Sequence, residues 1–284
     1  MSEILRWCEI SDRTDEFAKV RFQILNEELR KAGLDTEFKL TVAEPTNLQE
    51  ILDQARSTSA QIRFSGRLGK SVIPLLERLP SALVSLKACD SLVCENGDWW
   101  PRFFLVEGLN QTMATDAAAL DLAGSVLILG ATSEAKASVA ALSRIGFSKM
   151  IITDPHEELG LAFVEELRRS YFGIKFQMVA RNAVTQLPGV CSIAVNTLTA
   201  SEDANSMAEL AYFNFLKPGG FWLDLSIFPL NTALQSEASS VGASIISGAR
   251  VLARTDFLWA TSAFNVSIDF DSYAARLAAN LAPA

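Results

Sequence analysis

The stretch Ser125-Val-Leu-Ile-Leu-Gly-Ala-Thr-Ser-Glu-Ala-Lys136 decides the fold. Val126 to Leu129 are four apolar residues in a row, the pattern of a parallel strand covered on both faces. Gly130 makes a tight turn. Ala135, Val139, Leu142 and Ile145 then recur on one helical face until Gly146 ends it. A second apolar strand, Met150 to Ile152, stops at Thr153-Asp154-Pro155. The stretch therefore reads as a βαβ unit with a glycine turn ahead of its helix. A helix start behind such a turn offers free N–H groups and the positive end of the helix dipole to an anion. An acid just past the second strand, here Asp154, is placed to hold a ribose hydroxyl. The dinucleotide fingerprint carries three glycines, whereas Gly130-Ala131-Thr132-Ser133-Glu134-Ala135 keeps only the first and adds a negative charge at Glu134. A structural βαβ unit with no bound dinucleotide therefore stands level with a cofactor site.

Downstream, Ser192–Val195, Gly220–Leu225 and Ser244–Ile246 read as further strands. They alternate with helices over Leu159–Tyr171, Ala208–Phe215 and Thr232–Val241, and Lys217-Pro-Gly-Gly220 reads as a turn. That alternation predicts a parallel sheet with helices on both faces. Two last helices, 255–264 and 271–281, follow the sheet.

Upstream, residues 1–105 read as an α/β unit of different topology. Ile4–Cys8, Glu37–Val42 and Ala60–Phe64 are strands. Ala18, Phe22, Leu25, Leu29 and Ala32 make an apolar helical stripe closed by Gly33. Asn47 is positioned to cap a helix through Ala55, and Val72, Leu75, Leu76 and Leu79 suggest another. Asn96-Gly97 joins Ser91–Cys94 to Trp99–Leu105 as a hairpin. A linking helix is expected over 106–124. Gly69-Lys70-Ser71 is no P-loop, because Phe64 stands where that motif needs a glycine.

The composition narrows the partners. With 49% hydrophobic and 20% charged residues the chain is globular and well cored, and 284 residues suit two domains. A net charge of −8 disfavours nucleic acid and anionic membranes. No apolar run of membrane-spanning length appears, nor does the N-terminus read as a signal peptide. Four cysteines without C-x-x-C spacing suit reduced thiols in a cytoplasmic protein, and the single histidine, His156, argues against zinc.

The chain resembles the shikimate dehydrogenase family over nearly its whole length. Phe221-Trp-Leu-Asp-Leu-Ser-Ile-Phe-Pro-Leu-Asn-Thr-Ala-Leu234 carries the resemblance best, with its strand ending in Asp, then Pro, then Thr and a helix. Val241 to Gly248 is similar to the strand and glycine beside the nicotinamide, Val126–Ala135 to the cofactor turn, and Val195-Asn196 to a loop after the next strand. The resemblance implies an N-terminal substrate-binding domain, 1–105, with 264–284 packing back on it, and a Rossmann-like dinucleotide-binding domain over 106–263. It implies hydride transfer between NAD or NADP and a small hydroxy or keto acid, assisted by a Lys and an acid.

Carried over residue by residue, the resemblance makes Lys70 and Glu107 the catalytic pair. It makes Lys19, Arg21, Asn26, Asp90 and Thr255 the substrate contacts. Gly130, Ala131, Thr132, Ser133, Glu134, Ala135, Asp154, Asn196, Gly248 and Arg250 become the cofactor contacts, with no metal. Asp154 stands where the family holds a 2′-phosphate, which favours NAD.

Most polar positions depart from the family pattern: Glu107 stands for Asp, Asp90 for Asn, Lys19 and Arg21 for serines, Thr255 for Gln. The expected substrate is therefore a small acidic metabolite other than shikimate, gripped by Lys19, Arg21 and Arg67. The alternative is an inactive relative that binds a metabolite or a protein partner. A homodimer is a further expected state. A methyltransferase reading of Asp154 and Lys217–Gly220 ranks last, since the Gly-x-Gly it needs is missing.

Overall fold

The computed structural model describes residues 4–12, 16–65, 68–198, 209–210, 212–225 and 233–281. Gly66 and Arg67 lie outside the described residues, as does the 226–232 part of the best-matching segment. The chain divides into two compact units, 1–108 with 252–280, and 109–251 with 281–284. The return to the first unit begins at Leu252, earlier than the expected 264.

The first unit carries β1 (Leu5–Ser11), α1 (Glu16–Lys31), β2 (Thr36–Val42), α2 (Leu48–Thr58), β3 (Gln61–Phe64), α3 (Leu68–Ser71), α4 (Ser81–Leu86), β4 (Ser91–Glu95) and β5 (Asp98–Arg102). Its sheet order is β2-β1-β3-β4-β5, parallel across the first three and antiparallel at β4 and β5. Phe22, Leu25 and Leu29 of the α1 stripe are fully buried. Asn96 (φ 54°) and Gly97 (φ 84°) both sit in the left-handed region, as a two-residue hairpin turn of matching twist requires.

Three local expectations changed here. The helix expected from Val72 to Leu79 is only the one-turn α3 and a 3-10 turn at Ile73–Leu75, because Pro74 lacks an N–H and blocks continuation. Asn47 precedes α2, but its side chain accepts from the Glu44 amide at 2.8 Å instead of capping the helix. The linking helix, α5 (Phe104–Asp116), stops before the alanine run. There the Ala123 amide donates to Asp121 at 2.9 Å, and the backbone turns.

The second unit carries β6 (Ser125–Leu129), α6 (Ser133–Ile145), β7 (Lys149–Thr153), α7 (Glu157–Ser170), β8 (Lys175–Met178), β9 (Cys191–Asn196), β10 (Leu216–Asp224), α8 (Ala233–Ser240) and β11 (Ser244–Ile246). All six strands are parallel, in the order β11-β10-β9-β6-β7-β8. This is the doubly wound arrangement, with its switch point between β6 and β9. Every residue of β6 and β9 is buried, which explains the apolar runs Val126–Leu129 and Ile193–Val195 within them. Lys217–Gly220 lies inside β10, where the pairing register shifts between Leu216 and Phe221. Tyr212 and Phe213 have positive φ, so a helix does not run on through Phe215.

Then α9 (Gly248–Phe264) and α10 (Phe270–Leu281) end the chain, and from Leu252 they pack on the first unit. Among the described residues no helix is long and apolar enough to cross a membrane.

Candidate functional site

The switch point of the second unit gathers most of the expected cofactor residues. Gly130 leaves β6 at φ 104°, and its amide donates to the Thr153 carbonyl at 2.8 Å. A Cβ there would lie 2.6 Å from Thr197 Oγ1 and 2.8 Å from Leu198 Cγ, so the chain leaving β9 crosses a surface only glycine leaves open. Thr132 is the N-cap of α6, its Oγ1 accepting from the Ala135 amide at 3.1 Å. The same hydroxyl donates to Thr197 Oγ1 at 2.9 Å, and Thr197 in turn donates to the Leu129 carbonyl at 2.7 Å. Two threonines thus tie the ends of β6 and β9 together. Ser133 and Glu134 open α6, half-buried, and Ala135 is fully buried.

Asp154 is buried, and both its oxygens are in use. Oδ2 accepts from the Ala131 amide at 2.9 Å and Oδ1 from the His156 amide at 2.8 Å. The acid past β7 therefore closes on the glycine turn and on the start of α7. Asn196 is likewise fixed: its Nδ2 donates to Asp224 Oδ1 and to the Leu198 carbonyl, and its Oδ1 accepts from the Leu198 amide. Gly248 is buried at the first residue of α9. Arg250, which the sequence placed by the nicotinamide, pairs with Asp116 at 3.0 Å.

The first unit holds an assembly that sequence reasoning missed. Arg21 is buried, and its guanidinium meets both oxygens of Asp256 in α9, Nε at 2.9 Å. Arg63 of β3 donates to Asp256 Oδ1, and the Tyr273 hydroxyl of α10 donates to Oδ2. The Arg63 guanidinium stacks 4.9 Å from the Trp259 ring. Burial pushes the Asp256 carboxyl up, but Arg21 and Arg63 outweigh it and hold it at about 2. Arg21, expected to grip a ligand's carboxylate, holds the chain's own. Asn26 accepts from Thr36 Oγ1 at 2.7 Å and from Trp7 Nε1, and donates to the Thr36 carbonyl.

The remaining expected residues sit on several elements of the first unit, and the Cys89 amide donates to the Gly69 carbonyl at 3.0 Å, which brings Asp90 beside the Lys70 segment. Asp90 accepts from the Phe104 and Leu105 amides at 3.0 and 2.8 Å, so it caps the start of α5, and burial raises its pKa. Lys19 is exposed on α1, Lys70 on α3 and Glu107 on α5, while Thr255 is buried beside Asp256 in sequence.

A readable signal for the missed assembly existed. Glu9 and Arg63 each interrupt an apolar strand, and Asp256 precedes the apolar run Phe257-Leu-Trp-Ala260. A buried cation such as Arg63 needs a partner, and Asp256 is the one the sequence did not reveal.

No protein-family model matches the chain. Two curated proteins align with it: the NADP-dependent shikimate dehydrogenases of Shouchella clausii, 21% identical over 179 residues (63% of each chain), and of Geobacter metallireducens, 25% identical over 187 residues (64% of each). The aligned region thus spans under two thirds of either relative's length. Solved structures superpose far more completely. Shikimate 5-dehydrogenase from Thermus thermophilus, solved with NADP(H) and shikimate, has TM-score 0.77 at 18% identity, covering 96% of this chain and 98% of its own. Quinate dehydrogenase from Corynebacterium glutamicum, solved with NAD, has TM-score 0.82 at 16% identity, covering 97% and 99%. The 5-ketofructose reductase of Gluconobacter, free of ligand, has TM-score 0.81 at 16% identity, covering 97% and 98%.

Proposed function

We propose that this chain, a distant relative of the shikimate dehydrogenase family, is an NAD(P)-dependent oxidoreductase acting on a small hydroxy or keto metabolite other than shikimate. The observation that carries the reading is the switch point itself. Gly130 and the Asn196–Leu198 segment meet there at the carboxyl ends of adjacent parallel strands, where open α/β sheets take their ligands.

The residues present fit a dinucleotide. Gly130 keeps side-chain bulk out of the turn, and the start of α6 directs backbone N–H groups and the helix dipole toward a pyrophosphate. Asp154, pinned by two amides, sets a fixed negative charge where a 2′-phosphate would be repelled, which favours NAD over NADP. When bound, the nicotinamide supplies the hydride acceptor or donor. Lys70 and Glu107 are assigned the proton that leaves or joins the substrate oxygen, and Asn26, Asp90 and Thr255 the surroundings of that substrate.

Titration with NAD and with NADP, followed by melting temperature, tests the reading. At 100 times its dissociation constant a ligand adds about 2.7 kcal/mol of stability. A shift with NAD that Asp154→Ala removes is expected, and no shift with either dinucleotide sinks the proposal. Lys70→Ala is expected to cut turnover while leaving NAD affinity intact. A chain that binds polyols or acids but neither dinucleotide would instead be a binding protein without turnover.

A further inference from the structure

The face of the first sheet that looks toward α1 and α9 carries polar side chains in register. Glu9 pairs with Arg63 across β1 and β3, so Trp7, Glu9, Ser11, Gln61 and Arg63 share one face, and Ser65 continues it one step past β3. Nearly every polar group there has a partner. Trp7 donates to Asn26, Gln61 donates to the Ala263 carbonyl and accepts from the Cys94 amide, and Arg63 donates to Asp256. The exceptions lie at the carboxyl ends of the strands. Both oxygens of Glu9, which is 1% exposed, the hydroxyl of Ser65 and the Nε of Arg63 have no hydrogen-bond partner among the described residues. Ser65 eases the charge on Glu9 at close range without reaching hydrogen-bond geometry.

Leaving such groups unmet costs roughly 1–3 kcal/mol each, so an arrangement that keeps them needs something to complete it. The two cations of the cluster are already engaged by Asp256. What is left over on the sheet is a carboxyl, a hydroxyl and one N–H, and the Nε1 of Trp259, which stacks on Arg63, is also unmet. We propose that Glu9 is a specificity-determining residue that, together with Ser65, takes a hydroxyl of a neutral polyol. A hydroxyl donates to Glu9 when that group is a carboxylate and accepts from it when it is an acid, while also meeting Arg63 Nε. A ligand carboxylate has no proton to share with an ionised Glu9 and finds Arg21 and Arg63 occupied. The substrate is then neutral and hydroxyl-rich, against the acidic one expected from Lys19, Arg21 and Arg67.

This inference rests on the first unit binding the substrate. Quinate and its methyl ester form the test pair, since they share every ring hydroxyl and differ in charge. Calorimetry on the full chain at pH 7 is expected to show the ester binding at least tenfold more tightly than the acid. Glu9→Gln is expected to bring that ratio below threefold while raising the melting temperature, because it removes an unmet buried carboxyl. A tighter acid, an unchanged ratio in Glu9→Gln, or no binding of either compound (an internal water being all that meets Glu9) overturns the proposal. A fall in melting temperature with the ratio unmoved marks Glu9 as structural and overturns it equally. The dinucleotide titration is scored separately: ester preference without dinucleotide uptake breaks only the oxidoreductase reading, and uptake with acid preference breaks only this one.

Discussion

Polar groups gather at the carboxyl ends of parallel strands in both units, yet the two assemblies are made of different material. Around the ends of β6 and β9 the partners are mostly backbone amides and neutral side chains, with two carboxylates, Asp154 held by two backbone amides and Asp224 by the Asn196 carboxamide. In the first unit they are two full charges, Arg21 from α1 and Arg63 from β3, and the neutral Tyr273 hydroxyl of α10, all brought onto the one aspartate of α9. A backbone-built site tolerates side-chain change, because its donors are present whatever the residue. A charge-built site does not, since removing one member strands the others out of water.

The sharpest break would come from Asp256. Replacing it by Leu strands Arg21 and Arg63, and a loss of about 3–5 kcal/mol in urea-unfolding stability is expected. A loss under about 1 kcal/mol would show that the arginines find other company. Acid titration sharpens the same point. Asp256 falls from an ordinary 3.8 to about 2 in the folded chain. Its contribution is therefore full above the unfolded value and is lost as pH drops through the folded one, about 2 kcal/mol in all. Glu9 has the opposite sign. Burial raises its pKa above 4.5, so its contribution is full at low pH and fades as pH rises. Asp256→Asn should remove the acid-side loss, and Glu9→Gln should remove the loss on the way up. Stability measured from pH 2 to 8 in both variants checks this, and parallel profiles would refute the assignment.

Those signs also mark what the sequence could and could not disclose. The βαβ unit at Ser125–Thr153 was legible because its signals are local: an apolar run, a glycine, a helical stripe. The hairpin at Asn96-Gly97 was legible for the same reason. Asp256 with Arg21 and Arg63 was not, because 235 and 193 residues separate the partners and only the fold joins them. The helix expected through Leu79 failed on Pro74, whose ring outweighed the apolar spacing. Asp154 was correctly placed at the strand end, but its bonds to Ala131 and His156 arise from the turn's path, which no spacing encodes.

In the second unit the expected effects are smaller. Gly130→Ala puts a Cβ 2.6 Å from Thr197 Oγ1 at a φ of 104°, so strain and displacement of the β9 loop should cost about 1–3 kcal/mol. Dinucleotide affinity should fall with it, since the shifted loop narrows the same turn. Stability lost with affinity kept would place the cofactor elsewhere.

The smallest effect, Thr132→Ala, separates backbone from side chain most finely. It deletes the N-cap of α6 and the hydroxyl link to Thr197, for about 1 kcal/mol. If the second unit is backbone-built, the α6 amides remain where they were, and NAD should bind within about threefold of the parent despite the lower melting temperature. Thr132→Ser should restore the stability, because it returns the accepting oxygen. A variant that melts like the parent yet loses NAD would instead show that the hydroxyl touches the ligand, and the contrast between a backbone-built and a charge-built unit would then fail at its cleanest point.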